Sequence, residues 1–248
     1  MRAFFDKYGF AIFWIISLAD FVLIYFEADN ARYFTKPLLM PLLLATLFSK
    51  VEFDGRTTSK LLIVAALLAA TTGDVFLLSS GGFTGGLVCF LVMLLLYTIY
   101  FLSIQGLSIK QVVPIVVIAA VLVSAFSLLI ASLWNYLDGF KVPLIIYSVF
   151  LLAMLMCAIN VFNNDDTKLL SLDTFIPGAA LFVISDVMLA TNKFYFEEPF
   201  LNIPIMATYC GAQYYICRGF VKELQRVSFH EETGHKDFPS AHQQFNLN

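Results

Sequence analysis

Charge is what this chain has least of. Only 13% of its 248 residues are Asp, Glu, Lys or Arg, against 60% hydrophobic, and the mean hydropathy is +0.82. Those proportions exclude a soluble domain and leave an integral membrane protein. Histidine is scarcer still. His230, His235 and His242 all lie in the polar tail after Arg226, so no imidazole is at hand in an apolar segment to act as base or metal ligand. The spacing from His230-Glu231 to His235 does not put two imidazoles on one helical face, as a zinc-protease helix requires. Cys89, Cys157, Cys210 and Cys217 fall in apolar runs with no CxxC spacing, which excludes a zinc or redox motif and reads as small buried hydrophobes. There is no basic run, so nucleic acid is excluded as a partner, and a net charge of −3 says little else. No metal and no cofactor are expected.

What the chain has is long apolar runs. A membrane span needs about 20 mostly apolar residues, and charges, glycines and prolines cut the sequence into eight: 8–26, 36–48, 60–79, 83–103, 112–132, 142–162, 174–191 and 201–222. The expected fold is therefore an all-α integral membrane bundle of eight transmembrane helices over residues 1–226, with a polar, disordered cytoplasmic tail over 227–248. The first run follows Arg2 and Lys7 like a leader, but it contains Asp20 and is not followed by a small-x-small site, so it reads as a span. Of the 15 Lys and Arg residues, 11 fall on one side of this topology and four on the other, which places both termini in the cytoplasm. Lys36-Pro37 and Lys141-Val142-Pro143 open the second and sixth runs, and Gly73-Asp74-Val75-Phe76-Leu77 is echoed by Ser185-Asp186-Val187-Met188-Leu189. These echoes suggest a parallel 4+4 internal repeat.

Asp74 and Asp186 are the residues that an apolar helix has most reason to exclude. Each could simply glue helices together through Lys36, Lys193 or a hydroxyl, at about 0.6 kcal/mol per polar pair. Two carboxylates at one depth are a costly way to gain so little, and intramembrane acids are functional candidates by default. On this topology both lie near the outer ends of their spans, level with Asp20. Lys36 enters from that side, and Tyr209 and Gln213 share a face slightly deeper. Two carboxylates brought together in hydrocarbon cannot both ionise, so one would hold a proton and the other a charge. Lys36 reads equally as a snorkelling lysine ahead of a proline in the first helical turn or as a group that neutralises an aspartate or holds a phosphate. Gly86, Phe90, Leu94 and Tyr97 form one stripe of the fourth run. The fifth and sixth, with little beyond Ser124, Ser127 and Asn160, read as scaffold.

The ordered series Lys36-Pro37, Gly73-Asp74, Phe83 with Gly86, Phe90 and Tyr97, Gly178-Ala179 with Phe182, Ser185-Asp186, and Tyr209 with Ala212-Gln213 resembles the YhhN-like lysoplasmalogenase family, from about Lys36 to Arg218. The resemblance implies an eight-span hydrolase that cleaves the vinyl ether bond of lysoplasmalogens to a fatty aldehyde and a glycerophospho-alcohol. It makes Asp74 and Asp186 the catalytic candidates and places Lys36, Phe90, Tyr97, Phe182, Asn192, Tyr209 and Gln213 around the substrate. Its partners would be the lysophospholipid and the surrounding membrane lipids, in the cell membrane if the source is bacterial. One position departs from the pattern: Leu94 stands where the family often has a histidine, whose role would pass to Tyr97 or a carboxylate.

A protonated aspartate could protonate the alkene carbon and an ionised one could stabilise the resulting cation, with the aliphatic chain among Phe76, Phe90 and Phe182. A lipid-binding or transport protein that uses the aspartates for proton coupling is the alternative. An intramembrane aspartyl protease is disfavoured, because Thr71-Thr72-Gly73-Asp74 is not GxGD and no Pro-Ala-Leu occurs.

Overall fold

A computed structural model describes residues 2–51, 57–79, 81–107 and 112–234, and among these there is no β-strand. Eight long helices follow in order: α1 (Arg2–Tyr25), α2 (Asp29–Lys50), α3 (Thr57–Leu78), α4 (Phe83–Ile104), α5 (Val112–Leu133), α6 (Lys141–Asn160), α7 (Lys168–Phe196) and α8 (Asn202–Gly234). α7 contains π-helical turns at Ser171–Phe175 and Asn192–Phe196.

Among the described residues, five helical stretches are long and apolar enough to cross a membrane: Arg2–Tyr25, Thr58–Leu78, Phe83–Ile104, Asp138–Asn163 and Lys168–Phe196. Their outward faces carry large hydrophobic side chains such as Ile15, Leu18, Leu61, Leu68, Val88 and Val149. In water such faces would drive association; in a bilayer they are solvated by lipid. Lengths, composition and apolar exterior together describe a multi-pass integral membrane protein.

Helices next to each other in sequence pack side by side: α1 on α2, α2 on α3, α3 on α4, and α7 on α8. The circuit then skips a member. α4 packs on α6, α6 on α7, and α8 returns to α1, while α5 packs chiefly on α6 from outside the ring. The core inside runs from Phe13 and Leu43 through Met93 and Leu94 to Phe182, Ile216 and Phe220.

Three expectations need correction. The apolar pattern starts the second span at Lys36, but α2 begins at Asp29, because Asp29–Thr35 winds into the same helix. Pro37 is therefore interior and does not open the helix. With Pro41 it removes two backbone donors from α2. Composition starts the polar tail at residue 227, but α8 runs on to Gly234; residues 235–248 lie outside the described residues. Phe76 does not line the interior: it is exposed and its ring packs over Gly85.

Three glycines, at two places in the bundle, set the helix geometry around the site. Gly81 has φ +92°, and a Cβ on Gly82 would meet the Phe76 carbonyl oxygen at 1.9 Å, so Gly81-Gly82 permits the tight turn from α3 into α4. On α7, a Cβ on Gly178 would stand 2.7 Å from Ile216 Cγ1 and 3.2 Å from the Ala212 carbonyl of α8. Small residues of this kind let membrane helices approach closely, and Ser185 exploits the approach by donating to the Ile205 carbonyl at 3.0 Å. Gly178→Val is expected to force α7 and α8 apart and to lower stability by about 1–3 kcal/mol, the usual range for overpacking. Thermal unfolding in detergent measures this, and an unchanged midpoint would contradict the close contact.

Candidate active site

A cavity of about 430 Å³ lies near the end of the bundle that carries the α3–α4 and α7–α8 turns. Six residues singled out in the sequence line it together: Lys36, Asp74, Phe90, Phe182, Asp186 and Tyr209. Asp74, on α3, is 1% exposed. Its Oδ2 accepts a hydrogen bond from Tyr209 Oη of α8 at 2.8 Å, and Lys36 Nζ of α2 stands 3.7 Å from its Oδ1. Lys36 is 6% exposed, so it does not snorkel to an interface: it is held inside as the counter-charge of Asp74. The Phe90 and Phe182 rings flank Tyr209 edge-on, each with its centroid 5.9 Å from the Tyr209 ring. Gly73 leaves room for Phe90, whose ring would sit 3.1 Å from any Cβ there.

Asp186, on α7, has different company. Its Oδ2 accepts from Tyr147 Oη of α6 at 2.7 Å, and among the described residues no cation lies within ion-pair distance of it. The two aspartates thus line one cavity, each with its own partners. The splitting of two acids by mutual repulsion, which close approach would bring, is not needed to distinguish them. Each takes a partner from the helix before it, a charged lysine for Asp74 and a neutral phenol for Asp186, and that difference sets the two acids apart.

Asp186 also faces a second space. A narrow apolar cavity of about 40 Å³ lies between α4, α5, α6 and α7, lined by Leu87, Phe126, Ile130, Leu144 and Leu151 among others. Phe83, Phe90, Leu77, Leu189 and Asp186 belong to both cavities. Asp186 is the only ionisable side chain of the five, placed where a polar chamber gives way to an apolar one.

The remaining candidates lie elsewhere. Tyr97 donates to Gln213 Oε1 at 2.7 Å, and Gln213 donates to Met93 Sδ at 3.2 Å. Both are buried deeper in the core and line neither cavity. Asn192 does not face the polar cavity. It clamps the backbone of Glu198, accepting from its N–H at 2.9 Å and donating to its carbonyl at 3.1 Å, and so holds the α7–α8 turn. Asp20 is fully buried, accepts from Thr35 Oγ1 at 2.7 Å and stands 3.5 Å from Arg32 Nε. It balances Arg32 and does not line the cavity.

Two lining residues were not legible as such. Tyr147 sits on the helix read as scaffold, and its only sequence signal is a lone phenol amid apolar residues. Arg32 lies one turn before Lys36, which puts both on one face of α2, but the pairing shows only once the helix extends back to Asp29.

The YhhN family's sequence profile matches residues 31–220, a span that contains every residue placed on these cavities. The chain belongs to the YhhN family. No curated protein and no solved structure matches it. In this member of the YhhN family Leu94 is 0% exposed, packs within the core and lines neither cavity. Leu94 is therefore a core residue here and does not form part of the cavity wall.

Proposed function

We propose that this protein hydrolyses the vinyl ether bond of lysoplasmalogen-type lipids, releasing a fatty aldehyde and a glycerophospho-alcohol. Family membership supports the reaction class, and the observation that carries the assignment is Asp186 at the junction of the polar and apolar cavities. A vinyl ether lipid changes from polar to apolar at the bond to be cleaved, so a lipid with its glycerol in the larger cavity and its chain in the narrower one brings that bond to Asp186.

Without a nearby cation, a carboxyl group in this setting is held as the neutral acid. It gives its proton to the alkene carbon remote from the ether oxygen, which leaves an oxocarbenium ion. Asp74 keeps its negative charge opposite Lys36 and, with the Asp186 carboxylate just formed, opposes the developing positive charge. Water adds to the carbon next to the oxygen, Asp186 recovers a proton from it, and the hemiacetal collapses to aldehyde and alcohol. Tyr147 orients Asp186 and Tyr209 orients Asp74. The reading takes all eight helices as spans, with both termini in the cytoplasm and the polar cavity toward the outer face.

The test is aldehyde release by the detergent-purified protein from an alkenyl lysophospholipid, with the saturated ether as control. Aldehyde from the alkenyl lipid alone is the expected result. Tight binding of both lipids with no aldehyde from either would sink the hydrolase and favour a lipid-binding protein.

A further inference from the structure

Arg32 is a buried guanidinium with unused donors. It is 9% exposed, its Nε is buried without a hydrogen-bond partner, and none of its side-chain N–H groups makes a hydrogen bond among the described residues. Its ion pairs, with Asp20 at 3.5 Å and Asp29 at 3.6 Å, balance its charge but leave its fork of N–H groups unfilled. A buried donor without an acceptor is costly, and natural structures rarely keep one without reason.

The position of Arg32 supplies a reason. It lines the polar cavity and also an adjoining cavity of about 490 Å³ nearer the turns, and Lys193 and Asn202 line both as well. Lys193 is exposed and has no ion pair among the described residues; its Nζ stands 5.8 Å from the Phe83 ring centroid. Asn202 has its Oδ1 occupied by Asn192 at 3.4 Å, which leaves its amide nitrogen as the spare donor. The charge count favours an anion on the inner side. The polar cavity is lined by three cations, Arg32, Lys36 and Lys193, against two carboxylates, Asp74 and Asp186. The outer cavity is unsuited to one, because Glu27, Asp29, Glu197 and Glu198 line it.

We propose that Arg32 and Lys193, with Asn202, form a subsite for a phosphate group at the boundary of the two cavities. Arg32 supplies the planar, two-pronged recognition that suits phosphate oxygens, and Lys193 supplies a mobile second charge. This assignment deepens the lipid reading and takes its ligand from it: the phosphate is the one that follows the glycerol of the bound lipid. Lys36, occupied by Asp74, is then not the headgroup anchor.

The test is a binding measurement that involves no hydrolysis. Calorimetry in detergent compares a saturated alkyl glycerol ether with its phosphate monoester, and inorganic phosphate serves as a third probe. The expected result is about 10- to 100-fold tighter binding of the phosphate ester, the range of one charge-assisted hydrogen bond or a pair of them. Lys193→Gln and Arg32→Lys should each reduce that ratio by about tenfold. Arg32→Lys keeps the charge that faces Asp20 while losing the fork, and thermal unfolding of each variant confirms a folded protein. Competition by inorganic phosphate would support the same subsite as one for the free anion, and its failure to compete would support a lipid headgroup. Equal affinity for the two lipids in the wild type, or a ratio that neither variant changes, would overturn the subsite. Neither lipid carries a vinyl ether, so the outcome stands apart from the hydrolase assay: phosphate discrimination without aldehyde release keeps the subsite and discards the reaction.

Discussion

Asp186→Asn is expected to lower aldehyde release by about 10²- to 10⁴-fold, the range that a general acid contributes, while leaving the fold intact. Asn has nearly the shape of Asp, and its amide oxygen still accepts the hydrogen bond from Tyr147. What it lacks is a proton acidic enough to give to an alkene carbon. Tyr147→Phe removes one hydrogen bond from the same carboxyl and leaves the acid in place, so its loss should be smaller, about tenfold, near the value of a single orienting bond. The order of the two effects is diagnostic. If Tyr147→Phe proves as damaging as Asp186→Asn, the phenol takes part in the chemistry itself. If Asp186→Asn retains wild-type turnover, the proton comes from elsewhere and the proposed mechanism is wrong.

Lys36→Met is expected to destabilise the protein more than Gly178→Val or any of the cavity substitutions, by about 3–5 kcal/mol, because it leaves the Asp74 carboxylate buried without its counter-charge. Asp74→Asn alone leaves Lys36 in the complementary position. The double substitution Lys36→Met with Asp74→Asn removes both charges, and the amide oxygen that replaces the carboxylate could still accept from Tyr209, so most of the stability should return. Activity should not return with it, since the fixed negative charge opposite the oxocarbenium ion is gone. Thermal unfolding and aldehyde release measured on the same three preparations separate the two effects. A Lys36→Met protein as stable as wild type would show that the pair is not a buried one, and an active double variant would remove Asp74 from the mechanism.

The helices themselves could be read from the sequence because the bilayer demands long apolar runs, and all eight runs became helices. Their ends shifted where polar residues carried the winding onward, as at Asp29 of α2 and beyond Arg226 in α8. Six of the nine candidate site residues line one cavity, since a charge or phenol placed in an apolar helix stands out from its neighbours. Tyr97 and Gln213 stand out just as clearly, yet they satisfy each other deeper in the core; composition cannot distinguish a polar pair facing a cavity from one facing itself. Asn192 stands apart from the polar cavity for a local reason, because its amide is drawn to the backbone of a turn that the sequence did not define. The order of helices around the ring was invisible too. Neighbours in sequence are the natural guess for neighbours in space, and nothing in α5 announces that α4 will pass it by to reach α6.

The displaced α5 has a kinetic consequence. Phe126 and Ile130 of this helix wall the narrow cavity from outside the ring, so on the proposed reading a lipid entering from the plane of the bilayer on this side would meet α5 before Asp186. For a substrate admitted there, arrival is a two-dimensional search. Turnover should then follow the mole fraction of substrate in the surrounding membrane or micelle, and diluting the substrate with inert lipid at constant bulk concentration should slow aldehyde release.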